Sequence, residues 1–231
     1  MLVYHGSYVK IDKIDLTKCS PNKDFGRGFY VTKFIDHAES WAKVKGKRNK
    51  TNGVITEFLY YDSPFTEHLC KVKHFNAYSE EWLDFVVLNR DPMSNMHDYD
   101  IIEGPIANDK IQSRIFDFLN GRVNKKDFLS ELVYHEDTHQ ICFCTLKSLL
   151  TLKSRDHSPT SDFAYICEEI LKKLMLDQSI DELMAMDIFY ESDIFKQLAI
   201  TNTDLHQYSW QEIYEKLSHD RTLHPTIPHT P

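Results

Sequence analysis

Three short segments combine residue types that can bind a ligand or react with one. In His5-Gly6-Ser7, an imidazole can hydrogen-bond a hydroxyl group and a glycine lets the backbone approach an amide closely. In residues 24–30 (DFGRGFY), two glycines flank Arg27, whose guanidinium can pair with a phosphate. In His139-Gln140, an imidazole precedes an amide. Each segment alone also fits a structural role: a surface histidine, a hairpin turn with an exposed arginine, or a glutamine on a polar strand face.

Several other kinds of site find no support in the sequence. The glycine spacing of residues 24–30 differs from that of the phosphate-binding loop and of the dinucleotide fingerprint, and both of those need a following helix. The twelve histidines and five cysteines have no convincing metal-ligand spacing, so no metal is expected. The odd cysteine count argues against a disulfide framework and favours a cytoplasmic location. Because no stretch is apolar enough to cross a bilayer and no signal peptide is visible, no membrane contact is expected.

The elements that must position these segments are strands mixed irregularly with helices, which predicts an α+β fold. Strands are predicted at residues 2–5, 28–32, 53–61, 99–103 and 140–145. Helices are predicted at residues 35–45, 79–89, 108–119, 125–134, 162–174, 180–191 and 210–217. Ser161 or Asp162 is expected to cap the helix that begins at residue 162, and Ser179 the helix that begins at residue 180.

The charge of the chain is divided unevenly between its two parts. Residues 1–155 carry 22 basic and 21 acidic side chains, whereas residues 156–231 carry 5 basic and 14 acidic ones. The pattern of strands and helices also breaks near residues 154–161. We therefore expect a first domain at residues 1–155, an acidic helical module at 156–221 and a flexible tail at 222–231.

Taken together and in order, the three segments resemble the ADP-ribosyltransferase superfamily, in the branch related to poly-ADP-ribose polymerases and diphtheria toxin. Its members have a strand ending in a His-Gly-Ser-type motif, then a Gly-x-Gly-aromatic-Tyr motif, an aromatic residue on the next helix and a glutamate on a late strand. Here His5, Tyr30, Trp41 and Gln140 fall at those positions. The resemblance covers residues 2–153 and therefore implies an NAD-binding domain at residues 1–155. This part of the chain is also similar to an uncharacterised bacterial family of such domains.

The resemblance implies an ADP-ribosyltransferase-like split β-sandwich with flanking helices, with NAD as the substrate and no metal. It implies that nicotinamide stacks between Tyr30 and Trp41, and that the Gly6 backbone holds the carboxamide. His5 would bond a hydroxyl of the adenosine ribose, and Arg27 the diphosphate. The implied NAD-binding residues are His5, Gly6, Ser7, Arg27, Gly28, Tyr30 and Trp41. The implied catalytic residues are Gln140, Tyr30 and His5.

Gln140 departs from the pattern, because the superfamily has a glutamate there. Glutamine accepts the same hydrogen bond from the ribose 2′-hydroxyl, but it carries no charge and cannot act as a general base. The expected activity is therefore mono-ADP-ribosyl transfer, with release of nicotinamide, to an acceptor that needs little activation. Glu103, Glu136 or His139 is the alternative base. A non-catalytic nucleotide-binding module and an NAD glycohydrolase are the alternative functions.

The expected acceptor is a macromolecule, a protein or a nucleic acid, as for a bacterial toxin or a phage-defence effector. The basic residues between Lys43 and Lys50 fit a phosphate backbone and, equally, a solvated helix end. The acidic helical module resembles small helical domains found beside such transferases in bacteria. Two roles are open for it: it masks the site in the manner of an antitoxin, or it completes the core.

Overall fold

The structure, a computed structural model, describes residues 1–62, 64–91, 97–107, 117–118, 121–132, 138–199 and 204–219. Its fold is mixed α+β, as the sequence predicts. The chain forms two compact units, Met1–Ser158 and Pro159–Pro231. The change of unit falls just after the boundary expected at residues 155–156.

The first unit contains two β-sheets. The three-stranded sheet has the order β1 (Leu2–Ser7), β3 (Val54–Tyr60) and β7 (Leu152–Ser154), with antiparallel pairs. The four-stranded sheet has the order β2 (Phe29–Val31), β6 (Gln140–Phe143), β5 (Ile101–Gly104) and β4 (Val72–His74). In that sheet β4 and β5 are parallel, and the other pairs are antiparallel.

Aromatic side chains from the two sheets meet in the interior of the first unit. The rings of Phe29 and Phe58 lie edge to face with centroids 5.4 Å apart, and those of Tyr60 and Phe143 lie 5.2 Å apart. Since alternate residues of a strand point to opposite faces, one face of each sheet supplies this core. Burial of each such ring stabilises the fold by about 2–3 kcal/mol.

Helices cover the outer faces of the sheets. The helices of the first unit are α1 (Ile35–Arg48), α2 (Pro64–Leu69), α3 (Glu80–Arg90) and α4 (Lys125–Leu132). Helix α1 packs closely on β1, and α3 buries Trp82, Leu83 and Val86 against the four-stranded sheet. The Ser79 hydroxyl caps α3 by accepting from the Trp82 amide at 3.1 Å. Short 3₁₀ helices lie at Leu16–Lys18, Lys147–Thr151 and, in the second unit, Asp204–Gln207.

The second unit is helical and has its own apolar core. Its helices are α5 (Asp162–Gln178), α6 (Glu182–Glu191), α7 (Asp193–Leu198) and α8 (Trp210–Ser218). The buried rings of Phe163, Phe189 and Phe195 pack together, the last two with centroids 5.2 Å apart. Helix α8 begins with a reciprocal capping box between Ser209 and Glu212.

The helix caps of the second unit differ in one respect from those expected. Ser161 caps α5 as predicted, since its hydroxyl accepts from the Ala164 amide at 3.0 Å. The prediction of Ser179 as the cap of the next helix is wrong: it ends α5 in the left-handed region, with φ of 54°. Asp181 caps α6 instead, accepting from the Met184 amide at 2.9 Å. The left-handed residue turns the chain first, so the next helix begins two residues later.

The remaining differences concern short or undescribed segments. The three 3₁₀ helices and four short α-helices and strands of the described residues have no counterpart in the prediction; the latter are α2, β4, β7 and α7. Such short runs carry too few residues for a periodicity to stand out. Most of the helix expected at residues 108–119, and the tail at 222–231, lie outside the described residues.

Candidate functional site

Strands β1 and β2 join the two sheets at a single bridge and then part. Tyr4 and Thr32 exchange backbone hydrogen bonds of 2.8 and 3.0 Å at this bridge. Because backbone groups alternate in direction along a strand, those of Gly6 and Tyr30 also face the line between β1 and β2. Beyond the bridge, the imidazole of His5 spans the line, with Nδ1 2.6 Å from the Tyr30 carbonyl oxygen. The first two motifs therefore meet at this seam, which we call the β1–β2 seam.

The protonation state of His5 follows from these contacts. A carbonyl oxygen only accepts, so Nδ1 carries the hydrogen and donates it to Tyr30. Burial, with a smaller contribution from the charge of Lys45, lowers the pKa of His5 to about 4. The ring is therefore neutral at pH 7 and keeps a lone pair on Nε2. That nitrogen can accept a hydrogen bond from a ligand hydroxyl, the chemistry expected of His5.

Gly6 is held between helix α1 and the seam. A Cβ atom at this position would lie 2.1 Å from the Ala38 carbonyl oxygen and 2.8 Å from the Ala42 nitrogen, so only glycine lets α1 approach β1. The Gly6 carbonyl oxygen accepts a hydrogen bond of 2.9 Å from the ammonium group of Lys45. Lys45 is thus part of this site, although the sequence did not single it out.

Tyr30 fixes the turn that precedes its own strand. Its hydroxyl donates to the Gly26 carbonyl oxygen at 2.8 Å and accepts from the Phe25 amide at 3.0 Å. Burial raises the pKa of Tyr30 well above its ordinary value, so the hydroxyl stays protonated. Gly26 adopts a φ of 76°, which favours glycine there. Tyr30 therefore shapes the glycine-rich turn from inside.

The other residues of this segment also have structural contacts. The Arg27 guanidinium is exposed, and its Nη1 donates to the carbonyl oxygens of Cys19 at 2.6 Å and Thr17 at 3.1 Å. At Gly28 a Cβ atom would lie 2.4 Å from the Cys142 sulfur, so a side chain would push β2 away from β6. Ser7 is buried at the end of β1.

Trp41 lies on the exposed side of α1. Its side chain is 47% exposed, and it precedes Lys45 by one helical turn. Residues four apart on a helix share a face, so Trp41 and Lys45 project from the same side of α1. The expected stacking of a ligand between Trp41 and Tyr30 stays a prediction.

Gln140 is anchored in a buried polar network. Its Nε2 donates to the Asp24 carboxylate and to the Pro105 carbonyl oxygen, each at 3.0 Å. Arg90 forms an ion pair with Asp24 through Nε at 3.0 Å and Nη2, and the Ala107 amide donates to the same carboxylate at 2.8 Å. This Asp24 network ties the glycine-rich turn, α3, the end of β5 and the start of β6 together.

The network dictates how the amide of Gln140 is oriented. Both partners of the amide are pure acceptors, so only the NH₂ group can face them, and Oε1 must point the other way. Within the described part of the chain Oε1 accepts no hydrogen bond. Gln140 thus presents an acceptor oxygen but no base, and the role expected of it toward a ribose hydroxyl stays a prediction.

The side chains of the three motif segments occupy two faces of the four-stranded sheet. Tyr30 is paired with Cys142, so it shares a face with Gln140 two residues away. His5 stacks on Phe29, on the opposite face, with centroids 4.5 Å apart. The sequence did not reveal this division, because it follows from the registers of β2 and β6.

The alternative bases form a separate cluster. The Lys33 amide donates to Nδ1 of His139 at 3.3 Å, so the proton sits on Nε2, which donates to Glu103 at 2.7 Å. This hydrogen bond holds the pKa of Glu103 below its usual range. His74 also approaches Glu103, at 3.2 Å. Glu103 faces Ile141 in the register, so the cluster lies on the face opposite Gln140. Glu136 lies outside the described residues.

Two thiols lie next to Tyr30 and the glycine-rich turn. The sulfurs of Cys142 and Cys144 are 3.4 Å apart and unbridged. The hydrogen bond from the buried Cys142, aided by His97, lowers the pKa of Cys144 to about 6. Burial raises the pKa of Cys142 well above its ordinary value. The pair thus combines one acidic thiol with one inert thiol.

The sequence assigned no individual role to three residues of the site: Lys45, Asp24 and Arg90. Asp24 directly precedes the glycine-rich turn, but a single carboxylate in a turn-rich segment does not predict a buried network. Lys45 follows the buried Ala42 by three positions on α1, which is the one local sign that it points inward.

Among the residues that the structure describes, no group of three or more His, Cys, Asp or Glu side chains is arranged to hold a metal ion. No described helix combines the length and the apolar character needed to cross a membrane.

Comparison with known proteins gives a family and nothing finer. No curated protein and no solved structure matches the chain. A family model matches residues 1–154, which is more than half of the chain and covers nearly all of the first unit. The chain therefore belongs to the family described as "Protein of unknown function (DUF3990)".

Proposed function

We propose that the first unit is an NAD-dependent mono-ADP-ribosyltransferase with an ADP-ribosyltransferase-like split β-sandwich. The observation that carries the proposal is the 2.6 Å hydrogen bond from His5 to the Tyr30 carbonyl oxygen, because it joins two motifs 25 residues apart at the point where β1 and β2 part. The resemblance of both motifs to those of the superfamily supports NAD as the ligand.

In the proposed reaction, the bond between nicotinamide and C1′ of its ribose breaks. The electron pair of that bond leaves with nicotinamide, and positive charge develops on the ribose. The acceptor then forms a bond to C1′ with its own electron pair, and an acceptor atom that carries a proton loses it to solvent. His5 accepts a hydrogen bond from a ribose hydroxyl through Nε2, and Gln140 accepts one from the 2′-hydroxyl through Oε1.

The absence of a base at Gln140 limits the proposed reaction to a single transfer. Both hydrogens of the Gln140 amide are donated to Asp24 and Pro105, so the side chain keeps this orientation and offers only its oxygen. The acceptor must be nucleophilic without activation, such as a ring nitrogen of a nucleobase in a nucleic acid or an already ionised side chain of a protein. A toxin or phage-defence role rests on this macromolecular acceptor and belongs to the proposal.

The Asp24 network favours a second candidate function, a module that binds a nucleotide without turnover. The Asp24 carboxylate, which accepts a hydrogen bond from Gln140, is neutralised by Arg90. A buried, fully hydrogen-bonded ion pair of this kind is a structural element rather than an acid or a base.

The test is incubation of the full chain with NAD labelled on the adenylate, in the presence of a bacterial lysate. Label in protein or nucleic acid supports transfer. Free labelled ADP-ribose without labelled macromolecules means that the protein is an NAD glycohydrolase. Binding by calorimetry without turnover supports the second candidate.

A matched pair of variants tests the site assignment. His5→Asn removes the acceptor at the seam, whereas His157→Asn makes the same change at an exposed residue with a φ of 63°, which asparagine tolerates. We expect His5→Asn to weaken NAD binding about tenfold or more, and His157→Asn to leave it unchanged. Equal NAD affinity in both folded variants would rule the seam out as the binding site.

A further inference from the structure

Lys45 is a half-buried cation without an anionic partner. Its ammonium group donates to the Gly6 carbonyl oxygen at 2.9 Å. No carboxylate forms an ion pair with it among the described residues. Burial, and next the charge of Lys23, lower the pKa of Lys45. The field around Lys45 is therefore positive, and the group is partly removed from water.

Arg27 and Lys23 add two more cations to the same place. Arg27 is bound to the Cys19 carbonyl oxygen at 2.6 Å, and the charges of Arg27 and Lys45 both act on the Cys19 thiol. The charge of Asp15 also acts on Cys19, but Asp15 pairs with Lys18 at 3.2 Å. Burial raises the pKa of Cys19, so its thiol is neutral. The charges of Arg27 and Lys45 thus both act on Cys19 and that of Lys23 acts on Lys45, and none of the three cations forms an ion pair among the described residues.

The neighbouring basic residues behave differently. Lys43 is exposed and pairs with Glu39 at 3.7 Å, and Lys47, Arg48 and Lys50 are exposed on the helix end and the loop after it. Only Lys45 of this run turns toward the seam. The basic run is therefore not one continuous surface for a nucleic-acid backbone.

A desolvated ammonium group is unfavourable unless an anion or several acceptors compensate for the lost water. The ammonium of Lys45 has three donors, of which Gly6 takes one. Two donors have no partner among the described residues, and the exposed guanidinium of Arg27 acts on the same Cys19 thiol as Lys45 does. A ligand group with charged oxygens on two neighbouring phosphorus atoms could bind Lys45 and Arg27 at the same time.

We infer that Lys45, with Lys23 and Arg27, binds the diphosphate of a dinucleotide at the β1–β2 seam. The choice of a dinucleotide diphosphate rests on the proposed function, whereas the anion site itself rests on the unpaired cations. The ammonium of Lys45 then connects the Gly6 carbonyl oxygen to a phosphate oxygen. It sets the distance between the seam and the diphosphate.

The test compares Lys45→Gln with Lys47→Gln in the full chain. Both changes remove one positive charge from α1, but Lys47 is exposed and makes no contact with the seam. Binding of ADP-ribose, inorganic pyrophosphate and nicotinamide is measured by calorimetry. We expect Lys45→Gln to weaken the binding of ADP-ribose and pyrophosphate about 10- to 100-fold and to leave the affinity for nicotinamide unchanged. Lys47→Gln should change each of the three affinities by less than about twofold.

A second variant protects the test against misfolding. The Lys23 side chain makes no hydrogen bond or ion pair among the described residues. We therefore expect the Lys23→Gln variant to have the melting temperature of the natural chain and to bind ADP-ribose about three- to tenfold more weakly. If Lys45→Gln binds ADP-ribose as tightly as Lys47→Gln does, or if Lys23→Gln has no effect when Lys45→Gln is unfolded, the inference is wrong. Lys45-dependent binding of a single-stranded oligonucleotide, with none of ADP-ribose, also overturns it.

Failure of this inference can be told apart from failure of the proposed function. If ADP-ribose binds through Lys45 but NAD is never cleaved, the diphosphate site stands and the transferase proposal falls. If NAD is cleaved and Lys45→Gln leaves the KM for NAD unchanged, the transferase proposal stands and the diphosphate site falls.

Discussion

At the scale of single residues, the meaning of Gln140 changes once its partners are known. Seen in the sequence, it is an amide at a position where the ADP-ribosyltransferases that the sequence resembles carry a carboxylate. In the structure its two amide hydrogens hold Asp24 and Pro105, each at 3.0 Å. A carboxylate here would face the oxygens of both partners. Glutamine is thus the residue that this buried network requires, and the network explains the departure without reference to activity.

This account predicts that Gln140→Glu destabilises the protein instead of restoring a catalytic group. The introduced carboxylate would lie beside that of Asp24, and we expect a loss of about 2–4 kcal/mol in the free energy of unfolding at pH 7. The measurement is urea denaturation followed by circular dichroism. Gln140→Met, which removes the two hydrogen bonds without adding a charge, is the control and should lose less.

The pH dependence of the same variant separates charge repulsion from lost hydrogen bonds. The carboxyl introduced by Gln140→Glu has a folded-state pKa raised above its unfolded value, because burial and Asp24 both disfavour its charge. Stability relative to the natural chain therefore falls as the pH rises through that pKa, and the deficit shrinks on acidification. A variant as stable as the natural chain at pH 7, with faster NAD cleavage, would contradict this account of Gln140.

At the scale of elements, the packing of α1 on β1 sets the geometry of the seam. The approach is close because Gly6 lies under Ala38 and Ala42, with the Ala38 carbonyl oxygen only 2.1 Å from the position of an added Cβ. This contact brings Lys45 within 2.9 Å of Gly6 and fixes where Trp41 stands. The position of the helix, rather than any single side chain, therefore determines which groups can meet at the seam.

Gly6→Ala tests this packing. The added methyl group would collide with helix backbone, which cannot yield as a flexible side chain would, and we expect a loss of about 3 kcal/mol or more. Gly121→Ala is the control: nothing lies within 4 Å of an added Cβ there, and its φ of 68° costs only about 1 kcal/mol. Thermal melts of both variants give the comparison. Similar losses in the two would show that α1 does not press on Gly6.

At the scale of the whole molecule, the chain is two units of unlike charge. The first unit, Met1–Ser158, holds the seam, the Asp24 network and all of the residues that the family model matches. The second unit has a separate apolar core around Phe163, Phe189 and Phe195 and most of the acidic excess. Separate cores indicate that the first unit can fold without the second.

A chain ending at Ser158 tests both independence and the masking hypothesis. We expect residues 1–158 to stay soluble and to unfold in a single cooperative transition, since the cut leaves β7 intact. If the acidic helices mask the site, the shortened chain should consume NAD faster or be more toxic to cells than the full chain. A soluble shortened chain with unchanged activity would instead assign the second unit a role other than masking.

The sequence by itself determined the mixed α+β class, the approximate place where the two units divide and most of the longer helices. These features depend on local information: the periodicity of apolar residues, the capping serine Ser161 and a shift in charge. It also singled out His5 and Tyr30, because glycine-rich neighbours at strand ends stand out from ordinary sequence.

Only the tertiary structure decided which of these residues meet and in what state. The neutral imidazole of His5, the inward turn of Lys45 and the orientation of the Gln140 amide all depend on partners far away in the chain. Hydrogen-bond registers and helix approach set those contacts, and no local pattern encodes them. The physical reason is that burial and charge are properties of the folded surroundings, whereas spacing is a property of the chain.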